Sequence, residues 1–323
     1  MIPPNHCSIY FPTAHSTGVV GHPSIFFRKY VRFDIRRMLP RPATVGATLA
    51  SMSMETALEK VGQWPVDKHA AVVITADGES GVGDLEKVFE LASVTKLLSA
   101  YGVLMAVEEG ALELDEPLGP EGSTVRHLLA HASGVGFDSR DASRPVGDRR
   151  IYSSAGYEWL AEKVAEEADM PFAEYLRQGV FEPLEMTDTE LWGSAGHEAR
   201  SSARDLTAFA SELLNPTLLA PSTVREAMTV QFPGLRGIVP GYGMQKHNDW
   251  GLGFEIKGEK SPHWTGESMP AETVGHFGMA GTYLWVVPSS SVAMVALTDR
   301  DFGDWAKPLW AETNDAVWSE LQH

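Results

Sequence analysis

Strand-like runs at both ends of this chain enclose a long helical middle, and that order restricts the folds open to it. Residues 69–76 read HAAVVITA, a buried strand closed by Asp77-Gly78. A turn-rich 79–84 follows, and 85–91 is expected to return as the second strand of an antiparallel hairpin. Towards the other end, 251–257 alternates in polarity. Residues 283–287 and 292–298 are apolar runs joined by Pro288-Ser289-Ser290, a turn. Between these ends apolar residues recur at helical spacing. From Ser93 they run through Leu97, Ala100, Leu104 and Val107 and stop at Gly110. Further helices are expected over 124–131, 155–168, 172–181, 203–214 behind the cap Ser202, and 221–228 with Pro221 at its start. Residues 54–62 and 305–321 complete the set. Strands need partners, so the two ends must meet in one sheet. The expectation is an α/β (α+β) fold. An antiparallel sheet from N- and C-terminal segments is flanked by helices, with an all-helical insertion beside it. The α/β part covers about 52–110 and 230–323, and the helical part about 111–229. Residues 1–51 are expected to be an extension, disordered or outside the working protein.

Ser93-Val94-Thr95-Lys96 lies where the strand pattern gives way to the first long helix. Residues three apart share a helix face, so the hydroxyl and the amine can meet. A buried lysine loses part of its preference for the charged form, and a neutral amine can take a serine's proton. An isolated match has a plainer reading, with Ser93 as a helix N-cap and Lys96 solvated. Three further segments bear on the choice. Tyr152-Ser153-Ser154 precedes a helix, and its phenol can act as a proton shuttle or, as phenolate beside a lysine, as a base. His276-Phe277-Gly278 precedes a strand, and a glycine there lets a substrate approach backbone N–H donors. Between them runs Leu128-Leu129-Ala130-His131-Ala132-Ser133-Gly134, a helix end with a glycine stop.

With these segments in this order, the chain resembles the serine beta-lactamase and penicillin-binding-protein superfamily. It is most similar to the branch of class C beta-lactamases, DD-peptidases and family VIII esterases. Ser93–Lys96, Tyr152–Ser154 and His276–Gly278 stand at its S-x-x-K, Y-x-N and H/K-x-G motifs. The LLAHASG run, Ser202-Ala203-Arg204-Asp205-Leu206 and FEPLEMTDT at 181–189 also resemble family stretches. The resemblance covers about 54–321 and implies a beta-lactamase/transpeptidase-like fold. It further implies that Ser93 is acylated while Lys96 and Tyr152 move the proton. The backbone N–H groups of Ser93 and Met279 would form the oxyanion hole. Ser154, His276 and Gly278 would line the substrate site, with His276 orienting Tyr152 or a substrate carboxylate. No metal or other cofactor is implied.

Two departures qualify this. Ser154 stands where the family has asparagine, and a hydroxyl cannot offer both amide functions at that reach. Histidine replaces the lysine of many beta-lactamases, and above about pH 6.5 it attracts a carboxylate less. Hydrolysis of a small ester, carboxylesterase-like, therefore ranks first. A peptidase or amidase for D-amino-acid peptides comes second and a beta-lactamase third. A reading from another class is a non-catalytic ligand-binding descendant of the fold.

Composition narrows the partners. Formal net charge is −17. Residues 1–50 hold six Lys/Arg against Asp34 alone, so the remainder carries 20 bases and 42 acids. So acidic a body repels nucleic acid backbones. No apolar run is long enough to span a bilayer. The single cysteine, Cys7, excludes an intrachain disulfide. With no recognisable secretory signal, a cytoplasmic protein acting on a small-molecule ester or amide is expected. Oligomeric state is not legible. His127 and His131, four apart on a helix, could present two metal ligands but lack a third at helpful spacing. Trp192, Trp250, Trp264 and Trp285 read as core residues or as walls of an apolar pocket.

Overall fold

The computed structural model describes residues 54–322. The expected extension over 1–51, Cys7 included, lies outside the described residues. A helical segment at 54–58 and a 3-10 turn at Glu59–Gln63 lead into the sheet. Its strands are β1 (His69–Thr75), β2 (Gly78–Gly83), β8 (Glu255–Ile256), β9 (Val274–Gly278), β10 (Thr282–Val287) and β11 (Val292–Thr298). They pair in the order β2-β1-β11-β10-β9-β8, antiparallel throughout. The register sets His69 opposite Thr298 and Ile74 opposite Ala293, so the two ends of the described chain zip together at the centre of the sheet.

The hairpin is not the one the sequence suggests. The partner of β1 is Gly78–Gly83, not 85–91. GESGVG is a glycine-rich edge strand with mostly exposed side chains, and it carries little of the β-branched signal of an inner strand. Of 85–91 only Val88–Glu90 is extended. This strand, β3, joins β4 (Glu190–Leu191) and β5 (Ala199–Ser202) in a separate three-stranded sheet. Within 251–257 only Glu255–Ile256 belongs to a strand. A further hairpin, β6 (Gly237–Val239) with β7 (Gly243–Gln245), carries no alternation to announce it.

The helices are α1 (Thr95–Glu108), α2 (Val125–Leu129), α3 (Ala155–Ala168), α4 (Phe172–Leu176), α5 (Ala203–Leu214), α6 (Pro221–Ala227) and α7 (Ala306–Glu320). Ser202 caps α5 by accepting from the Asp205 N–H at 3.2 Å. Because β1, β10 and β11 are buried on both faces, alternate residues feed two cores. Val72, Leu284 and Val295 pack with α1, α3, α4 and α5. Val73, Trp285 and Met294 pack with the 54–64 turn and α7.

Asn314 of α7 is the polar centre of the second core. Its amide oxygen accepts from Tyr283 at 2.9 Å and from Trp285 at 3.0 Å, and its NH2 donates to the Trp264 carbonyl. Asn314→Leu leaves these groups buried and unpaired and is expected to cost at least about 2 kcal/mol. Urea unfolding checks it; a loss below about 0.5 kcal/mol, the level of a surface substitution, contradicts the assignment.

Candidate active site

Ser93 sits in a 3-10 turn, Ala92–Val94, at the entrance to α1. The preceding Ala92 is held at φ 45°, a left-handed conformation costly for a residue with a Cβ. The turn is braced by β9 and β10. Thr282 Oγ1 donates to the Leu91 carbonyl at 2.8 Å. A Cβ on Gly278 would fall 2.2 Å from that same oxygen and 3.2 Å from Ala92 Cβ. The space beside Gly278 is thus taken by the 91–92 backbone and Ala92 rather than left for a substrate. Only glycine allows β9 this close to the turn that carries Ser93.

Lys96, in the first turn of α1, is fully buried. Its Nζ donates to the Gly196 carbonyl at 2.7 Å and to Ser154 Oγ at 3.1 Å. It lies 4.6 Å from the centre of the Tyr152 ring. No carboxylate accepts from it. Burial therefore dominates and lowers the amine from its ordinary 10.5 to about 7, against a weaker opposing pull from Glu158. Gly196 and Glu158 carry no sequence signal of this role. Thr95 and Ser99 flank Lys96 and bond to the same loop, Thr95 accepting from the Ala199 N–H and Ser99 donating to the Ala195 carbonyl. Glu158 accepts from Ser194, whose Oγ in turn accepts from the Gly196 N–H at 3.1 Å. A Cβ on Gly196 would meet Ser154 Cβ at 2.8 Å. The residue at the asparagine position still reaches the lysine, its hydroxyl oxygen accepting from Nζ.

Tyr152 precedes α3 and is ringed by aromatics. Its neighbours are His131 (4.8 Å between ring centres), His276 (5.5 Å), Trp250 (5.9 Å) and Phe137 (5.9 Å). Its hydroxyl is buried without a hydrogen-bond partner. Burial pushes the phenol well above its ordinary range, and the nearby Ser93 hydroxyl, short of hydrogen-bond geometry, only partly offsets this. The two histidines are in opposite tautomers. His276 Nδ1 lies 2.6 Å from the Phe277 carbonyl, which can only accept, so Nε2 is a bare lone pair. His131 Nδ1 accepts from the Ser153 N–H, so its Nε2 carries the proton. Both Nε2 atoms are buried and unpartnered. Desolvation, then the charge of Lys96, lowers both rings, His276 to about 3. A neutral His276 is suited to accept from Tyr152 and poorly suited to attract a carboxylate.

Behind His276 lies a buried ionic cluster that sequence reasoning missed. Glu255 accepts from Trp264 at 2.8 Å and faces His263 at 3.2 Å and Lys260 at 3.4 Å. Burial alone would raise this carboxyl, but Lys260 and His263 outweigh it and hold it well below the carboxylate range. Arg150, also buried, donates to the carbonyls of Ala130, Asn248, Gln231 and Phe232 and so ties the Tyr152 loop to distant segments.

The remaining candidates divide. Trp250 packs edge-on against His276, Trp264 and Trp285 are buried in the second core, and Trp192 is half exposed. His127 stacks on Phe232 and pairs with Thr124, away from His131's packing on Tyr152. Among the described residues no group of three or more His, Cys, Asp or Glu is arranged to hold a metal, and no helix is long and apolar enough to cross a membrane.

The family model described as Beta-lactamase matches residues 65–316. The chain belongs to the beta-lactamase family. A beta-lactamase from Mycobacterium bovis (Mb2281c) is 51% identical, with a TM-score of 0.81, over 83% of this chain and all of that one. The beta-lactamase/D-alanine carboxypeptidase of Yersinia pestis shares the fold at 18% identity and a TM-score of 0.71, over 86% of this chain and 99% of that one. Penicillin-binding protein 4* of Bacillus subtilis (strain 168) is 26% identical over 137 residues, covering 32% of this chain and 30% of that protein. The match thus spans less than a third of that relative's length. Members of the family are in general serine hydrolases.

Glu255→Gln removes the charge that Lys260 and His263 face, and is expected to cost about 3–5 kcal/mol at pH 7. A depressed carboxyl contributes stability above its unfolded pKa and loses it as pH falls. The gap between wild type and variant should therefore be full above about pH 4.5, the ordinary value, begin to narrow below it, and close only as pH falls through the far lower folded value. Urea unfolding at pH 7 and pH 4 checks this; a gap independent of pH contradicts it.

Proposed function

We propose that the protein is a serine hydrolase that cleaves a small ester through an acyl-enzyme on Ser93. One observation carries this reading: a fully buried lysine, three residues on from Ser93 and bonded to Ser154 and Gly196 but to no carboxylate, is brought to about neutral pKa over the Tyr152 ring. A general base works best with its pKa near the operating pH. Lys96 meets that condition, whereas Tyr152 is pushed the wrong way to serve as phenolate. Lys96 then takes the proton of Ser93 as Oγ bonds to the substrate carbonyl carbon. The N–H groups of Ser93 and Met279 hold the oxyanion. As the bond to the leaving oxygen breaks, the Tyr152 hydroxyl gives its proton to that oxygen and takes up the one held by Lys96, with the His276 ring packed beside the phenol ring. Water then repeats the sequence on the acyl-serine and restores the hydroxyl.

The ester reading ranks first because Ser154 offers a hydroxyl in place of an amide and His276 is neutral, which leaves no amide and no cation there to recognise a peptide or lactam substrate. A beta-lactam or D-amino-acid amide is the second reading, favoured by the 51% identity to a protein named a beta-lactamase. The non-catalytic alternative makes no use of a neutral buried amine.

A fluorophosphonate probe is expected to label the wild type and not Ser93→Ala. Lys96→Ala and Tyr152→Phe are each expected to lower turnover of a short-chain p-nitrophenyl ester by about 100-fold or more, with melting cooperative as in wild type. Absence of serine-dependent labelling and turnover sinks the enzyme reading. Faster turnover of a chromogenic cephalosporin than of the ester reverses the ranking.

A further inference from the structure

The Tyr152 side of the site opens on a cleft with two chemically distinct halves. The near half is a cavity of about 290 Å³ whose apolar wall is Phe137, Ile151, Tyr152, Ile238, Pro240 and Met244, with Arg149 and Arg150 also on its lining. Phe137, Ile238 and Met244 are 55%, 57% and 59% exposed, large apolar side chains left in water around the phenol. Ile238 and Met244 face each other across the β6–β7 hairpin. Such exposure is costly unless something apolar covers it.

The far half is an open basin of about 580 Å³, bounded by Arg236, Lys246, His247 and Asp148. Met244 lines both halves, so the two adjoin at that side chain. The basin is a basic patch on an otherwise acidic protein of net charge −17. Arg149, Arg144 and Arg236 all lie close enough to Asp148 to favour its carboxylate. Opposing them are Asp148, which accepts from Arg149 at 2.7 Å, and Glu259, which faces His247 at 3.1 Å. Arg236 and Lys246 are exposed at the rim.

We infer that this cleft selects substrates in which one arm of the ester is an apolar chain ending in an anion, carboxylate or phosphate. The chain lies on Phe137, Ile238 and Met244 and the anion over Arg236 and Lys246. The inference rests on the ester-hydrolase reading for the word "substrate", but the selectivity is a property of binding and is testable without turnover.

The test uses calorimetry on Ser93→Ala with pairs of matched length. Monoethyl octanedioate is set against diethyl octanedioate, and 6-acetoxyhexanoate against hexyl acetate; the pairs place the anion on the acyl and the alcohol arm respectively. In at least one pair the anion is expected to bind about tenfold tighter than its neutral partner. That advantage should shrink in about 0.5 M salt. It should disappear when Arg236→Glu and Lys246→Glu are added and survive in Arg236→Lys. Equal affinities in both pairs, or a preference unchanged by charge reversal, overturn the inference. Turnover of the neutral esters by wild type judges the hydrolase reading separately. A protein that binds the anionic ester selectively but cleaves neither upholds the cleft and refutes the enzyme.

Discussion

An amine sealed from water must be given hydrogen-bond acceptors, and whether these carry charge decides its pKa. Lys96 receives a carbonyl and a hydroxyl, from Gly196 and Ser154, and no carboxylate. Much of the surrounding architecture serves that arrangement. The helix carrying it is buried from Thr95 to Ala106, so its polar side chains need partners, and the 194–199 loop supplies them to Thr95, Lys96 and Ser99 alike. The loop can lie so close only because position 196 has no side chain to strike Ser154.

The same fold gives a second buried lysine a carboxylate, whose charge opposes the lowering that burial imposes. Lys260 faces Glu255 and donates to two backbone carbonyls, so its charge is paired within the sheet edge. Around Lys96 the nearby titratable groups are instead kept neutral. Burial lowers His131 and His276 and raises Tyr152. The result is a pocket with one proton acceptor of near-neutral basicity and no competing charge in contact with it. The carboxylates that act here are Glu158, on Lys96, and Glu255, behind His276, on that ring.

Much of this was legible in the sequence where the signal is local. The helices Ala155–Ala168 and Ala203–Leu214 and the strand Val292–Thr298 match the expected bounds because the apolar pattern marks their extent and, for Ala203–Leu214, the Ser202 cap marks the start. Ser93, Lys96, Tyr152, Ser154 and His276 are named by motif, and the fold gathers them. What escaped acts at a distance. Gly196 contributes a carbonyl that no residue type announces, and Arg150 binds four carbonyls from three separate segments. The Glu255 cluster joins residues eight and nine apart through a loop with no periodic pattern. The strand Gly78–Gly83 escaped for another reason: at a sheet edge its glycines lose little packing, so their low strand propensity misleads.

The neutral amine is the claim on which the chemistry stands, and it can be measured directly. Lysine labelled with 13C at Cε reports protonation of each amine by NMR, and comparison with Lys96→Arg assigns the signal. A titration midpoint near pH 7 for Lys96 is expected from its burial. A midpoint at the ordinary value of about 10.4 would mean that the amine stays charged at neutral pH, and that Lys96 cannot be the base that activates Ser93.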